Sequence, residues 1–123
     1  MTKTPEELLE LVVKTADARR AKDIMAINMQ NISVMSDYNV IMHASNSRLI
    51  NAIAEAVVDE AQKTGMDSNK INVEGKQAGA WVLIDLGAVI VHVFDEDERS
   101  HYNLEGLWTD GELVDVSEWI TEE

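Results

Sequence analysis

The sequence predicts an α/β fold: a five-stranded mixed β-sheet flanked by helices. Three observations predict it. Two segments repeat apolar residues at helical spacing, Leu8 to Ala16 and Leu49 to Ala61. Several short runs are rich in Val, Ile and aromatic residues and are bounded by Gly, Asn, Asp or Ser. The two kinds alternate as α-β-β-α-β-β-β-α, the pattern of one sheet with helices packed on it. At 123 residues the chain has room for one domain and a self-sufficient core.

The first helix opens at Thr4-Pro5-Glu6-Glu7. Thr4 can cap it, Pro5 suits the first helical position, and Glu7 completes a capping box. Leu8, Leu9, Val12, Val13 and Ala16 make its apolar stripe, and Arg19, Arg20 and Lys22 sit where it ends. A strand follows over Ile24 to Met29, started by Asp23, and a second over Tyr38 to Ala44. The link between them is too short for a helix, so as neighbours they run antiparallel. Ser45-Asn46-Ser47 caps the second helix, which runs to about Thr64 and ends at Gly65. Leu49, Ile50, Ile53, Val57 and Ala61 form its buried face. A loop over Met66 to Lys70 leads to a strand over Ile71 to Glu74, so strand-helix-strand should be a right-handed crossover between parallel strands. Gly75 to Gly79 then turns the chain.

The stretch Ala80 to Phe94 reads as a hairpin with Gly87-Ala88 as a two-residue loop, and Gly in first place suits a II′ turn. In that register Trp81 faces Phe94, Leu83 faces His92 and Asp85 faces Ile90. Val82 faces Val93, Ile84 faces Val91 and Leu86 faces Val89. These two sets lie on opposite sides of the sheet. The second is purely aliphatic and belongs to the core. The first mixes rings, an imidazole and a carboxylate, the composition of an interface. Two readings stay open: Trp81 and Phe94 lie under a helix, or they anchor a partner, with Asp85 offering a charge-assisted bond to a basic group. Beyond Phe94, Asp95 caps a short helix from Glu96 that carries Arg99 and Tyr102. Residues 1–108 form the domain, and 109–123 an acidic tail, loosely docked or disordered, with Leu113, Val114, Val116, Trp119 and Ile120 as its anchors.

The net charge of −13 is unevenly placed. Residues 95–123 hold eleven acids against one base, a balance of −10, and the rest stands at −3. With no Lys/Arg stripe the chain is not built for phosphate backbones. Acid suits a basic partner by steering encounter; it also serves solubility, and composition does not separate the two. No apolar run is long enough to span a membrane, and no secretory signal is read. With no cysteine there is no thiolate chemistry, which fits a reducing compartment.

His43, His92 and His101 have no metal-ligand spacing, so no metal or cofactor is expected. His92 reads as an exposed-face strand residue at an interface, and His43 as a half-polar strand residue. Ser45-Asn46-Ser47 could hold a phosphate but lacks the glycines and lysine of a phosphate-binding loop. A nucleotidyltransferase would need paired carboxylates on a neighbouring strand, and Asp85 stands alone.

Trp81-Val82-Leu83-Ile84-Asp85-Leu86-Gly87, Val91-His92-Val93-Phe94, and Arg99 with Tyr102, Leu104-Glu105 and Leu107-Trp108 together resemble the signature of the Iojap family, whose bacterial members are called ribosomal silencing factor S. Ala21-Lys22-Asp23-Ile24, Ser36-Asp37-Tyr38 and Asn46-Ser47-Arg48 also match, so the resemblance spans about residues 5 to 108. It implies a nucleotidyltransferase-like topology without the catalytic acids, and a non-enzymatic role. It implies binding to the large ribosomal subunit through large-subunit protein fourteen, steric exclusion of the small subunit, and repressed translation when nutrients are scarce. It also implies a cytoplasmic protein that forms a homodimer when free. By position, the matching contact candidates are Trp81, Leu83, Asp85, His92, Phe94, Tyr102 and Trp108. Leu86 and Ala88 depart from a tyrosine and an aspartate common in the family, and His43-Ala44 from a Thr-Gly. The alternative function is a nucleotide-binding or nucleotidyltransferase-like enzyme.

Overall fold

The computed structural model describes residues 4–30, 37–66, 69, 71–75, 81–95 and 112–120. Helix α1 spans Pro5–Ala18, strand β1 Lys22–Asn28, β2 Tyr38–Ala44, helix α2 Ser47–Lys63, β3 Asn72–Glu74, β4 Trp81–Asp85, β5 Val89–Asp95 and β6 Glu112–Val114, followed by a 3-10 turn over Ser117–Trp119. The strands form one mixed sheet in the order β3-β4-β5-β2-β1-β6. The expected short helix from Glu96, with Arg99 and Tyr102, lies outside the described residues.

Local chemistry starts and stops the helices as the sequence predicts. Thr4 Oγ1 accepts from the Glu7 N–H while Glu7 Oε1 accepts from the Thr4 N–H, a complete capping box at α1. Asn46 Oδ1 accepts from the Leu49 N–H at 2.9 Å and caps α2. At the far end of α1 the Ala21 N–H reaches the Ala16 carbonyl and the Arg20 N–H the Asp17 carbonyl. This is a Schellman closure, with Arg20 at φ 68 in the left-handed place that glycine usually takes.

Both helices pack on one face of the sheet. Leu9 and Val13 of α1, and Ile50, Ile53 and Val57 of α2, join Val40, Met42, Val82, Ile84, Val91 and Val93 in one buried cluster. Each aliphatic side chain removed from water there contributes roughly 2 kcal/mol before entropy is counted. Strand β2 is buried along its whole length because β1 and β5 flank it. It runs antiparallel to β1, as expected, and parallel to β5. β2 and β3 do run in the same direction, but β5 and β4 lie between them, so α2 carries the chain across two strand positions.

Three details differ from expectation. β1 begins two residues earlier, and its register to β2 shifts between Lys22 and Met25, where Asp23 takes φ 49. That is a bulge, the usual reason for a left-handed residue inside a strand. The hairpin loop is tighter than a II′ turn. Gly87 has the positive φ, 83°, but the Leu86 carbonyl accepts from the Ala88 N–H, closing a three-residue turn. The sheet also has a sixth strand. Glu112–Val114, expected in a loosely docked or disordered tail, pairs antiparallel with Ala26 to Asn28 of β1. Val116, buried, and Trp119 and Ile120, partly buried, join the helix-side core. Their apolar anchoring, and the open edge of β1, outweigh the acidity of the segment.

Gly75 and Arg20 test this backbone from opposite sides. Gly75 has φ 85, and a Cβ there would run into the Trp81 carbonyl. Gly75→Ala should destabilise the protein by more than about 2 kcal/mol. Arg20→Gly should stabilise it by roughly 1 kcal/mol by relieving the left-handed residue. Urea denaturation of both variants checks the pair, and equal and opposite signs to these would refute it.

Candidate partner-binding face

The sheet face turned away from α1 and α2 is built from cross-strand rows. One row runs Glu74, Leu83, His92, Ile41 and Met25 from β3 to β1. A second runs Trp81, Phe94 and His43, and a third Asn72, Asp85, Ile90, Asn39 and Ile27. Residues paired across neighbouring strands share a face, so these side chains form one surface. The expected hairpin register holds at every pair from Trp81–Phe94 to Asp85–Ile90.

The rings on this face lie side by side with nearly parallel planes. Trp81 and Phe94 have centroids 5.4 Å apart at 15°, Trp81 and His92 6.1 Å at 23°, and His92 and Phe94 6.2 Å at 8°. Such contacts add about 0.5–1.5 kcal/mol per aromatic pair beyond burial. Phe94 also packs with Ile27, Met29 and Ile41, and with the half-buried Met25 and Trp81, in a second small cluster. No residue of α1 or α2 belongs to it.

Exposure is graded across the face. Phe94 is fully buried and His92 is 5% exposed, whereas Trp81, Leu83 and Asp85 are half-buried. The expectation of an exposed His92, and of a ring-bearing side left bare throughout, is corrected here. The bare part is the β3–β4 end. The reading of Trp81 as lying beneath a helix is not met by α1 or α2, which sit on the opposite face. Tyr102 and Trp108 lie outside the described residues.

Each polar group on the face has a definite state. Burial pushes the His92 imidazole down to about 4, so it is a neutral ring at physiological pH. His43, buried rather than half-polar and open, has its Nε2 3.5 Å from Oδ2 of Asp23, which the bulge in β1 holds over it. One carboxylate oxygen of Asp85 accepts from the Gly87 N–H at 2.8 Å, so Asp85 steadies the hairpin loop as well as facing outward.

Sequence reasoning missed Glu74 and Gly75. With Trp81 and Leu83 they line a hollow of about 190 Å³ at the β3–β4 end. The three-residue strand β3 carries no periodic signal of its own; only its pairing of Glu74 with Leu83 brings the acid to this face. A wider hollow of about 480 Å³ opens between α1 and α2. Its rim mixes Lys14, Arg19 and Lys63 with Asp59 and Glu60, and the two lysines are paired within their own helices, to Glu10 and Glu60. Among the described residues no three His, Asp or Glu side chains converge as metal ligands. The Asn46 side chain is committed to capping α2.

Residues 2–123 match the family described as ribosomal silencing factor during starvation. A ribosomal silencing factor of Bacillus subtilis is 42% identical over 111 residues, covering 90% of this chain and 92% of the relative. A mouse protein named mitochondrial assembly of ribosomal large subunit protein 1 is 28% identical over 102 residues, covering 82% of this chain and 45% of the relative. A crystal structure of a Bacillus halodurans protein superposes with a TM-score of 0.78 at 41% identity, covering 89% of this chain and 98% of that one.

Neutral, buried His92 makes stability depend on pH. Its folded value of about 4 lies below the ordinary 6.5, so the unfolded chain takes up the proton first as pH falls. The contribution is full above about pH 6.5 and is lost as pH falls toward 4. Between pH 7.5 and 5 the wild type should lose about 2 kcal/mol more than His92→Phe. Denaturant titrations at the two pH values measure this, and parallel losses in both proteins would refute it.

Proposed function

The chain belongs to the ribosomal silencing factor family, and from that premise we propose that it represses translation by occlusion. It binds the large ribosomal subunit through large-subunit protein fourteen, on the face where the small subunit joins, and acts when nutrients are scarce. It does no chemistry. The mechanism needs only a footprint, because a folded domain seated on that face and the small subunit cannot occupy the same space. The reading places the protein in the cytoplasm, where subunits join. It also has free copies pairing as a homodimer through the patch they use on the ribosome.

One observation carries the reading: the half-buried indole of Trp81 beside Leu83, lining the hollow at the β3–β4 end of the face. A large ring that is held in place by stacking yet keeps accessible surface is the usual form of a binding hot spot. Glu74 lies opposite Leu83 and lines the same hollow, Asp85 lies two residues beyond Leu83 along β4, and the whole chain stands at −13. Such a field draws in a basic ribosomal protein and turns away bare RNA phosphate. Phe94 and His92 have almost no surface to offer. Their role in this reading is to fix the plane of Trp81. The mouse relative's name, which ties it to the large subunit, supports the choice of subunit.

Trp81→Ala tests it. Truncating a hot-spot ring should weaken binding to purified large subunits by about 2 kcal/mol, roughly 30-fold, in co-sedimentation. Far-UV circular dichroism should be unchanged, and melting should stay cooperative while falling by roughly 5–10 °C for the lost stacking. Unimpaired co-sedimentation, or loss of binding only through collapse of the fold, would contradict the assignment.

A further inference from the structure

Among the described residues β3 ends the sheet, and on either side of it lies a small hollow, Glu74 at the lip of one and Glu55 and Asp59 at the lip of the other. On the ring face the hollow of about 190 Å³ is lined by Trp81 and Leu83, with Glu74 beside them. On the helix face a second hollow, about 150 Å³, is lined by Val58 of α2 and Val73 of β3, with Asp59 beside them. Val73 and Glu74 are consecutive, so the two hollows open on opposite faces of one strand edge.

An end strand leaves backbone N–H and C=O groups open to a further strand. A strand added there would send consecutive side chains to opposite faces, which is the arrangement the two hollows offer. We propose that β3 accepts an extended segment of a basic partner protein as a seventh strand, with successive side chains entering the two hollows. Each hollow takes one aliphatic side chain, or the apolar stem of a Lys or Arg whose charged end meets Glu74 or Asp59. The charge argues against a second copy of this chain as the added strand, so the homodimer proposed above would meet through the ring face and not through β3. Pairing β3 with its own twin would set these acids against each other, in molecules that each carry −13. Lys70 and Lys76 flank the strand in sequence and lie outside the described residues.

This proposal deepens the reading above and rests on it for the partner, so the test uses purified large ribosomal subunits. Hydrogen–deuterium exchange of the segment 71–75 is compared in the free and bound protein, and strand addition should slow it about tenfold or more. Val58→Phe fills the helix-face hollow without touching the ring face, and should weaken co-sedimentation at least about tenfold. Unchanged exchange at 71–75 together with wild-type binding by Val58→Phe, while Trp81→Ala loses binding, overturns strand addition and leaves docking on the ring face standing. Wild-type protein that does not bind large subunits at all overturns both. If Val58→Phe does not fold, the exchange result decides alone.

Discussion

Alternation along β4 and β5 is the constraint on which the rest of the molecule depends. With the hairpin closed at Gly87, Val82, Ile84, Val91 and Val93 must share one face and Trp81, Leu83, His92 and Phe94 the other. A slip of one residue would move four fully buried aliphatic side chains to the other face and turn Trp81, Asp85 and His92 into the helix-side core. The helices therefore have one place to go. α1 and α2 both settle on the aliphatic side, and they touch each other there. The ring-bearing side is left to strand residues among those described, and it becomes a graded surface instead of a second helix-covered core.

That gradient joins packing to function. The inner part of the face, Phe94, Ile41 and Ile27, is sealed, and the outer part at β3 and β4 stays open. His92 lies at the boundary as a neutral ring, so it adds to the stack without adding charge. Among the described residues the charged groups near the opening are acids, Glu74 and Asp85. In the proposed reading this apolar centre with an acidic rim meets a basic protein surface, and a rigid ring loses little entropy when it is covered. The one helix start that resembles a phosphate cradle uses Asn46 to cap itself.

Much of this was legible in the residues, and for physical reasons. The hairpin register followed from period-two alternation and a short glycine loop, and the five expected pairs from Trp81–Phe94 to Asp85–Ile90 are present. The capping box at Thr4 and the cap at Asn46 are local, and local chemistry reads well from sequence. Tertiary choices did not read. β6 forms because β1 has an open edge and because Val116, Trp119 and Ile120 find the helix-side core; neither fact is local to an acidic segment. The burial of Phe94 and His92 depends on what lies across the sheet, Ile27, Met29 and Ile41, and periodicity assigns a face without saying how deep it lies. The hollow at Glu74 needed the pairing of β3 with β4, which a three-residue strand does not announce. Family resemblance named the ring-bearing hairpin as the region of interest; the coordinates divide it into a sealed half and an open half.

The central claim is that the partner sits on the open end of the ring face and not on the helices. A photo-crosslinking side chain placed at position 83, and separately at position 14 on α1, addresses it directly in the presence of large ribosomal subunits. The account predicts a crosslink to a large-subunit protein from position 83 and none from position 14. A crosslink from position 14 with none from position 83 would contradict it.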